Sequence, residues 1–164
     1  MTTTSVHEAA MATFGADDQA GRGAPKVHAE LANGRARLSA GPFNWDADLP
    51  AVVGGGNQAP SPTAYLLGAL SACAVAFTHD TLASEFGVTI ETLSADASCT
   101  ADVAGLVGMP GRDPRLQDLS LTVTLAASPA EAVTRLQTTW EERCPIYLAL
   151  GGAEQVQVTW VTPA

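Results

Sequence analysis

The chain has 164 residues, 46% of them hydrophobic and only 15% charged, with a formal net charge of −9. That length suits one domain, or two small lobes sharing a core, burying roughly 70% of the surface the unfolded chain would expose. The negative charge excludes a phosphate-reading nucleic-acid binder, which needs clustered Lys and Arg, and disfavours docking on an anionic membrane. So little charge implies that a partner covers some apolar surface, most simply a second copy of the chain. Three cysteines, far apart in sequence, make a poor disulfide framework and fit a reducing cytoplasm. The N-terminus lacks the basic start and apolar core of a signal peptide. The longest apolar run, Ala64 to Phe77, is too short for the ~20 residues that span a bilayer.

In chain order, residues 1–25 are small, polar and glycine-containing. They read as a mobile lead-in with at most a helical turn near His7 to Phe14. Residues 26–164 read as one domain. Lys26 to Leu31 alternates, with Val27, Ala29 and Leu31 on one face, as a half-buried strand does. Asn33-Gly34 signals a hairpin. Arg35 to Ala40 is the return strand, and Gly41-Pro42 ends it. Phe43 to Leu49 is a third strand, with Phe43 and Trp45 on one face. A loop from Pro50 to Pro60 holds Gly54-Gly55-Gly56, but no Gly-Lys-Ser/Thr follows, so it is not a phosphate loop.

Ser61-Pro62 starts a helix, the serine capping and the proline in the first turn. Leu66, Leu70, Cys73 and Phe77 share one face of it, and Gly87 ends it with a left-handed cap. Val88 to Ala101 reads as a long strand, and Ala104 to Arg115 as a loop. Leu116 to Ala126 is a strand with Leu119, Leu121, Val123 and Leu125 inward. Ser128-Pro129-Ala130-Glu131 reads as a capping box with proline in the first turn. The helix it launches runs to about Arg143 with Val133, Leu136 and Trp140 inward. Cys144-Pro145 breaks it before a turn from Ile146 to Leu150. Gln155 to Val161 closes the chain as a strand. The fold class is α+β, built on two main helices at about 62–86 and 129–143.

Chemistry has few candidates here. His7 lies in the lead-in and His28 on a polar strand face. His79 is about 120° around the helix from Cys73. No two Cys or His residues have metal-ligand spacing, and neither Ser71 nor Ser84 sits in a nucleophile elbow. The cysteines remain. Cys73 is either apolar core filler or a protected reactive thiol. Cys144 precedes a proline at the start of a helical turn, where N–H groups favour a thiolate, although such a position can be coincidental. Cys99, in mid-strand, reads as core.

Three segments carry a resemblance. Asp48-Leu49-Pro50, Gly54-Gly55-Gly56-Asn57 and Pro60-Ser61-Pro62 resemble the D-x-P…GG-x-N…PSP lead-in of the OsmC/Ohr family, in its broad OsmC-like branch. Leu66 through Cys73 is similar to its L-L-x-A-L-x-A-C helix, and Cys144-Pro145-Ile146 to its C-P-V. The resemblance implies an intertwined homodimer with antiparallel sheets wrapped around two central helices. It also implies a two-cysteine thiol peroxidase for organic hydroperoxides that needs no cofactor and no metal. Cys73 would be the peroxidatic residue and Cys144 the resolving one, with an external dithiol as reductant. Arg35, in Asn33-Gly34-Arg35, would be the activating arginine, with Arg37 in reserve. Peroxidase members carry a Glu just after the helix-start proline. Thr63-Ala64 stands there, so a carboxylate must come from Glu30, Asp46 or Asp48. The alternative function is an OsmC-like dimer that has lost or altered the peroxidase chemistry and binds an apolar small molecule. The third is a purely structural dimer with inert thiols.

Overall fold

A computed structural model describes residues 6–163; the first five residues of the lead-in and Ala164 lie outside the described residues. The chain divides into two compact units. One takes the residues up to Arg22, 69–100 and from Leu116 onward; the other takes Gly23–Gly68 and Ala101–Arg115.

The first unit is built on a sheet of β4 (Thr89–Thr100), β5 (Gln117–Ser128) and β6 (Val156–Val161), in that spatial order. β5 alternates as its sequence requires, with Leu119, Leu121, Val123 and Leu125 all buried. β4 pairs with it antiparallel, setting Leu93 opposite Leu125 and Ala97 opposite Leu121. β6 runs parallel to β5, with Leu121 opposite Val158. The expected all-antiparallel sheets are corrected here. A helix spans the connection from β5 to β6, so the chain re-enters the sheet in the same direction.

That connection holds α5 (Ala130–Arg143) and α6 (Pro145–Ala149). α5 buries Leu136 and Trp140. The capping box expected at Ser128 does not form. Ser128 is paired with Thr89 in the ladder, and the extended residue Pro129 precedes the helix with no side-chain cap.

α2 (Pro62–Phe77), a π-helical turn (Thr78–Leu82) and α3 (Ala83–Phe86) form one unbroken helical run. The Ser61 hydroxyl accepts the Ala64 N–H at 3.2 Å, and Gly87 closes the run at φ +63°. Leu70, Ala74, Thr78 and Leu82, four residues apart, are fully buried; Cys73 and Phe77 pack beside them. By length and composition alone, Pro62–Phe86 is apolar enough to cross a membrane, which the shorter run Ala64–Phe77 did not suggest. Its buried stripe is instead packed into the core of the first unit. Ala69, Ala72 and Ala76 remain exposed.

The lead-in carries an eleven-residue helix, α1 (Val6–Ala16), where a single turn was expected. His7 Nδ1 lies 3.6 Å from Glu85 on α3.

The second unit contains the antiparallel meander β1 (His28–Ala32), β2 (Arg35–Ala40) and β3 (Phe43–Ala47). Asn33 and Gly34 both have positive φ, 51° and 79°, as a tight two-residue hairpin demands. The inward face expected for β1 is not covered: Val27 and Leu31 are 59% and 83% exposed, and Phe43 on β3 is 70% exposed. In the stretch expected to be loop, Val103–Leu106 forms a short helix, α4. Asp102 caps it by accepting the Ala104 N–H at 2.9 Å and pairs with Arg112 at 2.7 Å.

Candidate active site

Cys144 sits at the joint of two helices. Pro145 lacks an N–H and cannot extend α5, so Cys144 ends α5 and precedes α6 with extended backbone. Its N–H donates to the Trp140 carbonyl at 2.8 Å, and its carbonyl accepts from Leu148 at 3.0 Å. Trp140 and Tyr147, with ring centroids 5.3 Å apart, are buried in the same core cluster as Cys144, which has no exposed surface.

The other thiol comes from α2. Cys73 is 71 residues away in sequence, yet the Cys144 S–H donates to the Cys73 sulfur across 3.2 Å. Both are free thiols, and Cys73 is only partly buried. A disulfide would need the sulfurs to close by about 1.1 Å, to the ~2.05 Å of an S–S bond. The sequence left Cys144 open between a thiolate favoured by the turn and a coincidental placement; burial decides against the thiolate. Burial pushes its thiol up to about 11, and the contact with Cys73 adds to the rise. The N–H groups of Tyr147 and Ile146 pull the other way and do not prevail. Cys144 is therefore a proton-holding thiol at neutral pH. Cys99, on β4, is half-buried against the core, as its mid-strand position suggested.

Arg143, next to Cys144, extends over the Phe77 ring at 5.9 Å, one turn beyond Cys73, and pairs with Glu85. His28 and His79 are exposed beside Glu30 and Asp80. No group of three or more His, Cys, Asp or Glu side chains that could hold a metal ion occurs among the described residues.

Arg35 lies in the second unit. It opens β2, and its Nε is 3.1 Å from the Asp46 carboxylate, while Nη1 donates to Gln58 Oε1 at 2.7 Å. Asp46 follows from strand register: it faces Arg37 directly on β3, which makes it the diagonal neighbour of Arg35. Arg37 itself is exposed. Of the three carboxylates the sequence offered in place of the family's Glu, Asp46 is the one paired with Arg35.

Asp48 has a different task. It is buried, and its two oxygens accept the N–H groups of Leu49 (2.8 Å), Gly56 (3.1 Å) and Gln58 (3.0 Å). These bonds, the one from Gln58 largest, outweigh burial and hold its carboxyl below the usual range; the Arg35 charge adds to them. Gly55 has no side chain because the chain passes too close: an added Cβ would lie 1.9 Å from the Leu49 carbonyl oxygen. The spacing from Asp48 through Gly54-Gly55-Gly56-Asn57 is thus a loop folded around one carboxylate. It delivers Gln58, the partner of Arg35 that the sequence did not point to. A signal was available: a carboxylate with free N–H groups eight and ten residues on, across three glycines.

Arg35 and Asp48 also line a pocket of about 370 Å³ in this unit, with walls from Leu31, Leu49, Val53 and Pro62.

The OsmC-like protein family model matches residues 54–160. No curated protein matches the chain by sequence. Among solved structures, an OsmC-like protein from Mycoplasma pneumoniae superposes with a TM-score of 0.67 at 18% identity, covering 86% of this chain and 96% of that one. An organic hydroperoxide resistance protein OsmC from Legionella pneumophila gives 0.63 at 16% identity, covering 87% and 98%. The organic hydroperoxide resistance protein OhrB of Bacillus subtilis gives 0.55 at 20% identity, covering 86% and 98%. At these identities the structures speak for the fold, and the family model, spanning well over half the chain, speaks for descent. With its cysteine helix, its Cys-Pro joint and its carboxylate-centred glycine loop, the chain belongs to the OsmC-like family.

Proposed function

We propose that the protein is a two-cysteine thiol peroxidase that reduces organic hydroperoxides to alcohols. The supporting observation is the 3.2 Å contact between a partly exposed thiol, Cys73, and a buried one, Cys144. The partly exposed cysteine is the one a peroxide can meet. As a thiolate, Cys73 attacks the distal peroxide oxygen; the O–O bond breaks, the alkoxide takes a proton and leaves as alcohol, and Cys73 becomes a sulfenic acid. Cys144 then attacks the Cys73 sulfur, water leaves, and the S–S bond forms. An external dithiol returns both sulfurs to thiols and is itself oxidised.

Arg35 is assigned the activating cation, stabilising the attacking thiolate and holding the peroxide. Asp46 and Gln58 fix its guanidinium, the work a carboxylate after Pro62 does in peroxidase members of the family. The working state is a cytoplasmic homodimer. Val27, Leu31 and Phe43 on and beside the β1–β2–β3 meander, and the alanine stripe of α2, are the apolar surfaces a second copy would cover.

Non-reducing mass spectrometry after cumene hydroperoxide treatment tests this. A Cys73–Cys144 disulfide is expected. A Cys73→Ser variant that consumes the peroxide at the wild-type rate would overturn the assignment. One observation favours a second reading: the apolar pocket beside Arg35 suits a dimer that binds an apolar small molecule without turning it over. That reading predicts saturable ligand binding with both thiols intact after peroxide exposure.

A further inference from the structure

We propose that reduction of the Cys73–Cys144 disulfide proceeds only through Cys73: the incoming thiolate bonds to the Cys73 sulfur and displaces Cys144, so the mixed disulfide with the reductant forms on Cys73 alone. This rests on the peroxidase reading for the origin of the disulfide, but not for its test.

Thiol–disulfide exchange is a direct displacement at sulfur, so the attacking thiolate must touch the sulfur it bonds to. The two sulfurs differ sharply in this respect. Cys144 has no exposed surface. It lies in the same buried core cluster as Trp140 and Tyr147, respectively four residues before and three residues after it. Cys73 retains exposed surface.

The electron balance follows. The reductant's first thiolate forms an S–S bond to Cys73, and the Cys73–Cys144 bond breaks with its electron pair going to Cys144, which takes up a proton. The reductant's second thiol, as thiolate, attacks its own sulfur in the mixed disulfide and releases Cys73 as thiolate. The reductant leaves as a disulfide, oxidised by two electrons. Once protonated, Cys144 is slow to undo the first step, because burial, the largest influence on its thiol, favours the protonated form.

The test starts from protein oxidised with diamide, so that it does not depend on turnover of peroxide. Oxidised wild-type protein is treated briefly with 2-mercaptoethanol, quenched in acid, alkylated and mapped by peptide mass spectrometry. The adduct is expected on the Cys73 peptide with Cys144 alkylated; an adduct on Cys144 overturns the proposal. A second measurement uses single-cysteine proteins. In Cys144→Ser, a mercaptoethanol disulfide on Cys73 is expected to be cleaved readily by dithiothreitol. In Cys73→Ser, the same adduct on Cys144 is expected either not to form or to be cleaved about tenfold more slowly or worse. Equal cleavage rates overturn the proposal. If peroxide yields no disulfide while diamide yields one that opens at Cys73, the peroxidase reading fails and this one stands.

Discussion

Cys144 and Asp48 are both buried acids that receive backbone N–H groups, and their protons go opposite ways. Cys144 has the N–H groups of Tyr147 and Ile146 nearby, and burial still raises it to about 11. Asp48 has three N–H bonds between 2.8 and 3.1 Å plus the field of Arg35, and is held below the normal carboxylate range. The difference shows what a few N–H groups can and cannot do. A carboxylate offers two compact oxygens that accept strong, short bonds. A thiolate is large and accepts weakly, so removing it from water costs more than the turn returns. In the thiol cluster packing dominates; in the glycine loop, hydrogen bonds to a charge do.

The largest effect expected from this contrast is on the rate of disulfide closure. If Cys144 must lose its proton to resolve the sulfenic acid, closure should accelerate about tenfold per pH unit from pH 6 to pH 9, some thousandfold in all. Stopped-flow tryptophan fluorescence after a peroxide pulse measures it, since Trp140 adjoins the joint. A flat profile would mean that Cys144 is already ionised. The sign for stability is opposite. The folded thiol keeps its proton up to about 11, while an unfolded one loses it near the ordinary value of 9.0. This contribution is complete below pH 9 and is lost as pH rises from there to about 11.

Trp140→Ala removes the largest fully buried side chain of the core cluster that holds Cys144. Trp140 is fully buried, so urea unfolding should show a loss of about 3–5 kcal/mol. Water admitted beside Cys144 should also lower its thiol pKa, shifting the closure profile toward lower pH. A stability loss with an unmoved profile would assign the high proton affinity to the Cys73 contact rather than to burial.

Gly55→Ala breaks the other region. The new Cβ cannot coexist with the Leu49 carbonyl oxygen at 1.9 Å, so the loop must open at about 3 kcal/mol. Activity dependent on Arg35 should fall, because Gln58 is displaced, while diamide should still oxidise the thiol pair at the wild-type rate.

How much of this was legible in sequence depended on the range of the interaction. The Ser61 cap, the Gly87 stop, the Asn33-Gly34 turn and the alternation of β5 are set within a few residues, and they were read. The Cys73–Cys144 pairing came from family likeness; no local pattern links residues 71 apart. Ser128 was misread because its capping signature is local while its actual partner, Thr89, lies across the sheet. The direction of β6 depends on where a helix returns the chain. Asp46 was one of three open candidates and Gln58 was not among them, because each reaches Arg35 only once a strand register and a loop have formed. The proton affinity of Cys144 stayed open in sequence, since the local N–H groups that favour a thiolate were visible and the burial that opposes them was not.

Asp48→Asn should have a smaller effect than opening the loop, because the amide keeps the shape and one acceptor. It loses the charge and one oxygen, so at pH 7 the variant should melt at a lower temperature than wild type. The sign with pH is fixed by the depressed carboxyl: the advantage of Asp48 is complete above the ordinary aspartate value of about 3.9 and disappears as pH falls through its lower folded value. The two melting temperatures should therefore converge in strong acid. A constant gap would mean that the charge of Asp48 is not what holds the loop.

Gly87→Ala should be the mildest change and serves to separate the two ways a glycine can be required. Nothing lies within 4 Å of a Cβ added at Gly87, so no atom has to move. The cost is purely conformational, an alanine forced to φ +63° at the end of the helical run. About 1 kcal/mol is expected for this, against about 3 kcal/mol for Gly55, where the obstacle is a carbonyl oxygen. Urea titrations of the two variants side by side measure the difference. Gly87→Asn discriminates further. Asparagine tolerates the left-handed region, so it should recover part of the Gly87 loss. Asparagine at position 55 should recover nothing, since any side chain meets the same oxygen. Recovery at both positions, or at neither, would show that the two glycines are required for the same reason.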